Sequence, residues 1–275
     1  MTNFDMKRFG RVLKWSAVMT RKEMLTNAAA MFFAMFLPFI IQMTAGYRSP
    51  EAVVAAGINT AMQIDIFIYF IIVMIGGCRL FSNMNTKEQR ITFRMLPATD
   101  LEKFAARALY VTVAWWVMAL AAFCLADVCR MLISLTVGID VVGSAIPGFI
   151  GHVFGGGWDD AFTVNGSSES AALAAVAVTA AWLFFVHSLY ALGGAFFRRR
   201  QFVLTSITVC ILGFIGSILF VHFVDNFHAD FQLSWITALA WTGTAVFAAL
   251  GLLDWWLAYW IFRRMQAVNN KWVNL

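Results

Sequence analysis

Apolar and polar residues alternate along this chain in long blocks. Six apolar segments run from about Leu25 to Ala45, Ala55 to Cys78, Ala106 to Leu132, Ala171 to Phe197, Phe202 to Val224 and Trp235 to Phe262. Each is long enough to cross the hydrocarbon core of a bilayer, which takes about 20 residues of helix. In lipid every backbone N–H and C=O must be satisfied within the segment, so each is expected to be an α-helix. A β-barrel would need short strands of alternating polarity, and runs such as Phe67 to Gly77 do not alternate. The pattern predicts an all-α integral membrane protein: one transmembrane domain over 1–275, with six spans, no separate soluble domain and no internal repeat.

The polar connections differ in character. Residues 1–24 precede the first span, and 4–24 read as an amphipathic helix. Phe9, Val12, Leu13, Ser16 and Met19 fall on one face, and Lys7, Arg8, Arg11 and Lys14 on the other. Such a helix is expected to lie along an anionic membrane surface. It has no apolar core of the signal-peptide kind, so the first span is expected to serve as the insertion signal. The longest connection, 137–170, is rich in glycine (Gly155 to Trp158, Asn165 to Ser168), with a half-buried or re-entrant piece expected around Val142 to Phe154. Asn165-Gly166-Ser167 fits a glycosylation acceptor, which has meaning only in a eukaryotic secretory pathway.

Composition agrees with this pattern. Hydrophobic residues make up 61% of the chain and charged ones 13%, against about 25% charged in soluble domains. That much apolar surface cannot be hidden within a water-soluble fold of this size. The net charge of +5 does not point to nucleic acid, because the basic residues are placed as membrane orientation requires. Of 20 Lys and Arg, only Arg48 and Arg130 lie on one side of the six spans. The remainder fall in the N-terminal stretch, the connection between spans two and three, the turn Arg198 to Arg200, and the tail with Arg263, Arg264 and Lys271. The connections on the opposite side carry Glu51, Asp140, Asp159, Asp160, Glu169, Asp225 and Asp230. By the positive-inside rule both termini are expected in the cytoplasm. The four cysteines sit in or beside apolar segments. Cys124 and Cys129, five apart, fall on different helix faces, so neither a disulfide framework nor a metal site is expected.

The connection 79–105 carries the most local instruction. Asn85-Thr86 can cap a short helix through Glu88, Gln89 and Arg90 to Met95. Pro97 ends it, because the residue before a proline avoids helical geometry and proline lacks a donor. Thr99 and Glu102 have capping-box spacing, so a new helix is expected to start near Asp100 and continue into the third span. The result is a cytoplasmic helical elbow welded to a transmembrane helix.

Phe93-Arg94-Met95-Leu96-Pro97-Ala98-Thr99, continued by Leu101-Glu102-Lys103-Phe104, resembles a segment of six-span permease-like proteins of Bacteroidetes-type bacteria. Those are similar to the permeases of type-2 ATP-binding-cassette (ABC) exporters. The layout is similar over nearly the whole chain: an amphipathic N-terminal helix, six spans, and an elbow between spans two and three. The resemblance implies a permease subunit in a bacterial cytoplasmic (inner) membrane, working as a homodimer or heterodimer with a separate ATPase. Arg94, Met95, Leu96, Pro97, Thr99, Glu102 and Lys103 would then form the docking surface for that ATPase, and membrane lipid would be the surrounding solvent.

Charges inside spans are costly and are functional candidates by default. Asp65 lies in the second span and Asp254 in the sixth, neither with an evident partner in sequence. Asp127 and Arg130, three apart in the third span, are expected to pair on one helix face in a structural role. His187, in the fourth span, is expected to bond a neighbouring helix, with a proton relay as the alternative. His222, His228 and Asp225 are a weak metal pattern. Gly193-Gly194, and Gly213 with Gly216, would allow close helix packing. No phosphate loop, zinc-protease motif or nucleophile elbow is present, so neither enzyme activity nor a cofactor is expected of this chain itself. The alternatives to a permease are a non-transporting membrane scaffold or accessory protein, and a lipid-modifying membrane enzyme in which His187, Asp65 and Asp254 converge.

Overall fold

The structure, a computed structural model, describes residues 4–84, 86–138, 143–154, 169–197, 200–226 and 233–265. Several sequence expectations fall outside these residues: Asn85, Asp140, Gly155 to Trp158, Asp159, Asp160, Asn165 to Ser168, Arg198, Arg199, His228, Asp230 and Lys271.

The described residues are helical and contain no strand. In chain order the helices are α1 (Met6–Ala45), α2 (Glu51–Cys78), a 3-10 turn (Arg79–Met84), α3 (Lys87–Arg94), α4 (Asp100–Val137) and α5 (Ile146–Phe154). They are followed by α6 (Glu169–Phe196), α7 (Gln201–Asn226) and α8 (Leu233–Arg264). Six of them, α1, α2, α4, α6, α7 and α8, are long and apolar enough to cross a membrane. The chain is a multi-pass membrane protein, as the apolar blocks predict.

The amphipathic N-terminal stretch is not a separate element. It forms the first turns of α1, which runs unbroken for 40 residues, about 60 Å at 1.5 Å per residue. No glycine–proline signal interrupts the sequence before Pro38, and Pro38 itself is accommodated within the helix. Val12, Ser16 and Thr20 form the buried stripe, as expected for Val12 and Ser16, but Met19 is 61% exposed. The inward stripe follows a four-residue step along the helix and leaves Met19 behind. At its other end α1 stops at Gly46, whose N–H donates to the Gln42 carbonyl (2.8 Å). Arg48 then takes a left-handed conformation (φ 65°), and Pro50 opens α2 by accepting from the Val53 N–H (2.9 Å).

The chain divides into two compact units. The first comprises Met1–Val12, Met74–Ala108 and Phe162–Leu275. Its framework is α6 packed along α8. A Cβ on Gly194 would strike the Cys78 carbonyl at the end of α2, and one on Gly193 would strike Thr205 of α7. These glycines permit close helix approach, as expected. Gly213 and Gly216 have nothing within 4 Å of where a Cβ would stand among the described residues, so they pack against no described helix. Val203, Ile207, Ile211 and Phe214 of α7 are exposed. In a membrane helix such side chains face lipid at no cost.

The second unit comprises Leu13–Val73 and Leu109–Ala161. Its core is aromatic. Phe149 of α5 is fully buried and stacks on Phe123 of α4, with centroids 3.8 Å apart at 17°. The ring of Tyr69 in α2 meets Phe149 edge-on at 5.5 Å and 89°, the geometry favoured by ring quadrupoles. Phe39 of α1 closes on Phe123 at 6.0 Å. Within the half-buried or re-entrant piece expected around Val142 to Phe154, Ile146–Phe154 form α5, and Val142 lies outside the described residues.

Candidate functional site

The elbow between α2 and α4 lies in the first unit, and both of its predicted caps form. The Thr86 hydroxyl accepts from the Gln89 N–H (3.3 Å), and the Gln89 side chain accepts from the Thr86 N–H (3.3 Å), closing a capping box at the start of α3. After the break at Pro97, the Thr99 N–H donates to Glu102 Oε2 (2.8 Å) and the Glu102 N–H to Thr99 Oγ1 (3.2 Å). α4 starts at Asp100 and continues through the third span without a break.

Glu102 does more than cap α4. Its carboxylate has no exposed surface. Oε1 accepts the Asp5 N–H at 2.7 Å, and the Arg8 guanidinium reaches both oxygens, with Nη2 2.9 Å from Oε1. Asp5 is itself the N-cap of α1, its Oδ1 accepting from the Lys7 N–H (2.8 Å). One carboxylate therefore sits at the N-termini of two helices, where free backbone donors and the helix dipoles both favour negative charge.

Arg94 performs the opposite task at a helix C-terminus. Its Nη2 donates to the carbonyls of Phe262 (2.8 Å) and Met265 (2.6 Å) at the end of α8, and its guanidinium lies 5.5 Å from the Phe262 ring centre. The Phe262 carbonyl also accepts the Met265 N–H (3.3 Å) in the tightened last turn, so Arg94 adds a charged donor where the helix has run out of its own. Lys103 Nζ donates to the Arg94 carbonyl (2.8 Å), and Arg107 binds the Leu80 carbonyl (3.0 Å) and Ser82 Oγ (2.9 Å) of the 3-10 turn. Beneath this polar layer Phe81 stacks on Phe262 (5.6 Å, 13°), and Phe93 meets Phe262 edge-on at 6.2 Å. Phe104 contacts Tyr259 and Trp255.

The seven residues expected to meet a partner thus separate into two sets. Arg94, Glu102 and Lys103 are engaged with this chain's own backbone and side chains, and Thr99 is spent as a cap. Leu96 is half-buried. Met95 (78% exposed) and Pro97 face outward, beside exposed Ile91 and Leu101. Sequence reasoning missed Asp5, Arg8, Arg107 and the carbonyls of Phe262 and Met265, because the bonds join positions up to 171 residues apart and leave no local pattern.

The intramembrane candidates are likewise placed. Asp127 and Arg130 form the expected i,i+3 pair, fully buried at 2.8 Å. Asp127 Oδ2 also accepts from Ser144 Oγ (2.7 Å) and the Ala145 N–H (3.0 Å), and Arg130 donates to the Gly143 carbonyl (2.9 Å). The pair anchors the entry to α5. Asp254 finds a partner that sequence did not suggest, accepting from Ser188 Oγ of α6 at 2.8 Å. His187, the adjacent residue, is buried against Gly77, with its ring 6.3 Å from that of Trp255. His187 and Asp254 therefore share the α6–α8 layer of the first unit, whereas Asp65 belongs to the second. Among the described residues no group of three or more His, Cys, Asp or Glu side chains gathers as a metal site would require. The four cysteines are free thiols.

Comparison with family profiles, curated proteins and solved structures finds no match for this chain.

Proposed function

We propose that the chain is the membrane-spanning permease subunit of an ABC-type exporter, coupled to a separate ATPase through the elbow. The observation that supports this reading most is the continuity of the elbow with α4. The capping box at Thr99 and Glu102 starts a helix that runs on for 38 residues, so the elbow and the third span share one helix. The same elbow grips the start of α1 through Arg8 and the end of α8 through Arg94. Beside these bonds Ile91, Met95, Pro97 and Leu101 are exposed among the described residues. In this reading the elbow and both termini face the cytoplasm of a bacterial inner membrane, and two permeases assemble with the ATPase.

The test is copurification from native membranes. The wild-type chain is expected to bring down a protein with a phosphate loop. Met95→Asp and Leu96→Asp are expected to lose it while the permease still elutes as a folded species. Wild-type complexes that hold no ATP-binding protein would sink the proposal and favour a scaffold.

A further inference from the structure

The second span carries two polar side chains with no hydrogen-bond partner among the described residues. Asp65 lies midway along α2 with 0% exposure, and neither of its carboxyl oxygens has a hydrogen-bond partner among the described residues. Four residues on, the Tyr69 hydroxyl is also without a partner, at 1% exposure. Residues four apart share a helix face. Asp65 and Tyr69 thus lie on one buried stripe with Ala61, Met62, Ile72 and Val73. No backbone donor is free there, since N–H groups in a helix interior are committed to their own turns.

α5 meets this stripe. A Cβ on Gly148 would stand 2.8 Å from the Met62 sulfur, and Phe149 meets the Tyr69 ring. Met62 and Tyr69 flank Asp65 on the stripe, so α5 meets the stripe to either side of it. The charged and titratable groups brought to this layer are few. α5 carries His152, whose Nδ1 lies 2.8 Å from the Gly148 carbonyl and whose Nε2 lies 3.5 Å from Gln63 Nε2. α4 brings Asp127 and Arg130, which are bound to each other and to the entry of α5. α1 contributes Phe39, which closes on Phe123. A negative charge on Asp65 would meet no donor among the described residues.

We propose that Asp65 holds a proton inside the second span, on the stripe that α5 meets to either side of it. A bare carboxylate in such surroundings costs far more than a neutral acid. A carboxylic acid can donate as well as accept, which a carboxylate cannot. A hard metal cation would ask for six or more oxygen ligands, and two side chains do not supply them. The site does not depend on the ATPase reading; it would serve any membrane protein that exchanges protons at this depth.

The test uses the full chain in membranes and a lipophilic fluorescent carbodiimide, which reacts with protonated carboxyls in apolar surroundings. The acid O–H adds across one C=N bond, and the adduct rearranges to a stable N-acylurea. Peptide mapping by mass spectrometry is expected to find the label on Asp65. Asp65→Asn is expected to lose it, Tyr69→Phe to keep it, and raising the pH to diminish it. Should Asp65→Asn fail to fold, mapping of the wild-type chain still decides the matter. The infrared C=O stretch of a protonated carboxylic acid in the wild-type chain is a second reading. An intact protein with no label on Asp65 would overturn the proposal, because the group would then be ionised and paired within the assembly. Protection of Asp65 by sodium or potassium at fixed pH would overturn it too, since the site would then hold a metal ion.

Discussion

Glu102 and Asp65 are both carboxyls with no exposed surface, yet they occupy opposite extremes of satisfaction. Glu102 receives the N–H of Asp5, the N–H of Thr99 and the Arg8 guanidinium. Asp65 receives nothing among the described residues. The difference follows from where each lies on its helix. Glu102 stands in the first turn of α4 and beside the first turn of α1, where backbone donors are free for any acceptor. Asp65 stands in the middle of α2, where every backbone donor is already spent. Burial alone therefore does not say what a carboxyl is doing; its position along the helix does.

Asp127 is the intermediate case and supplies the largest expected effect. It is mid-helix like Asp65 but has Arg130 one turn away and the entry of α5 against it. Arg130→Ala leaves that carboxylate buried and unpaired, and is expected to cost about 3–5 kcal/mol, read as a lower unfolding temperature in detergent. If Arg130→Ala proves neutral, Asp127 behaves as Asp65 does and the contrast dissolves.

Glu102→Ala comes next, at about 2–3 kcal/mol, combining a lost cap with lost charge-assisted hydrogen bonds. Glu102→Gln is expected to recover roughly half of this, because glutamine still completes the capping box while releasing Arg8. Asp65→Asn, measured the same way, is expected to leave stability within about 1 kcal/mol of wild type or to raise it, since it breaks no bond. A drop as large as that of Glu102→Ala would show that Asp65 has a partner in the membrane assembly. Arg94→Lys should cost about 1 kcal/mol, because an ammonium replaces a planar fork that reaches two carbonyls and an aromatic face. Met95→Asp, at an exposed position, should change stability by no more than about 0.5 kcal/mol.

The parts of this molecule that sequence disclosed are those governed by short-range chemistry. The six spans follow from length and apolarity. The two caps of the elbow follow from three-residue spacing, and the Asp127–Arg130 pair from adjacency on one helix face. What escaped were bonds whose ends are far apart in the chain: Glu102 to Arg8, Arg94 to the carbonyls of Phe262 and Met265, and Ser188 to Asp254. A backbone carbonyl carries no residue identity, so nothing in the sequence marks Phe262 or Met265 as acceptors. The continuity of α1 was missed for a related reason. The switch from basic to apolar residues near Leu25 suggests a boundary, but polarity changes there while backbone preference does not.

The bond from Arg94 to the end of α8 also sets an order of events during synthesis. A chain emerges from its N-terminus onward, so Asp5 and Arg8 are already waiting when Glu102 appears, and the first clasp can close early. Arg94 has no carbonyls to hold, and Phe81 and Phe93 no Phe262 to cover them, until the final membrane helix has been made. A nascent or truncated protein that stops short of that helix displays an uncapped guanidinium above uncovered aromatic rings. Once α8 is in place its carbonyls hold Arg94 and Phe262 covers both rings, so the elbow registers the arrival of that helix.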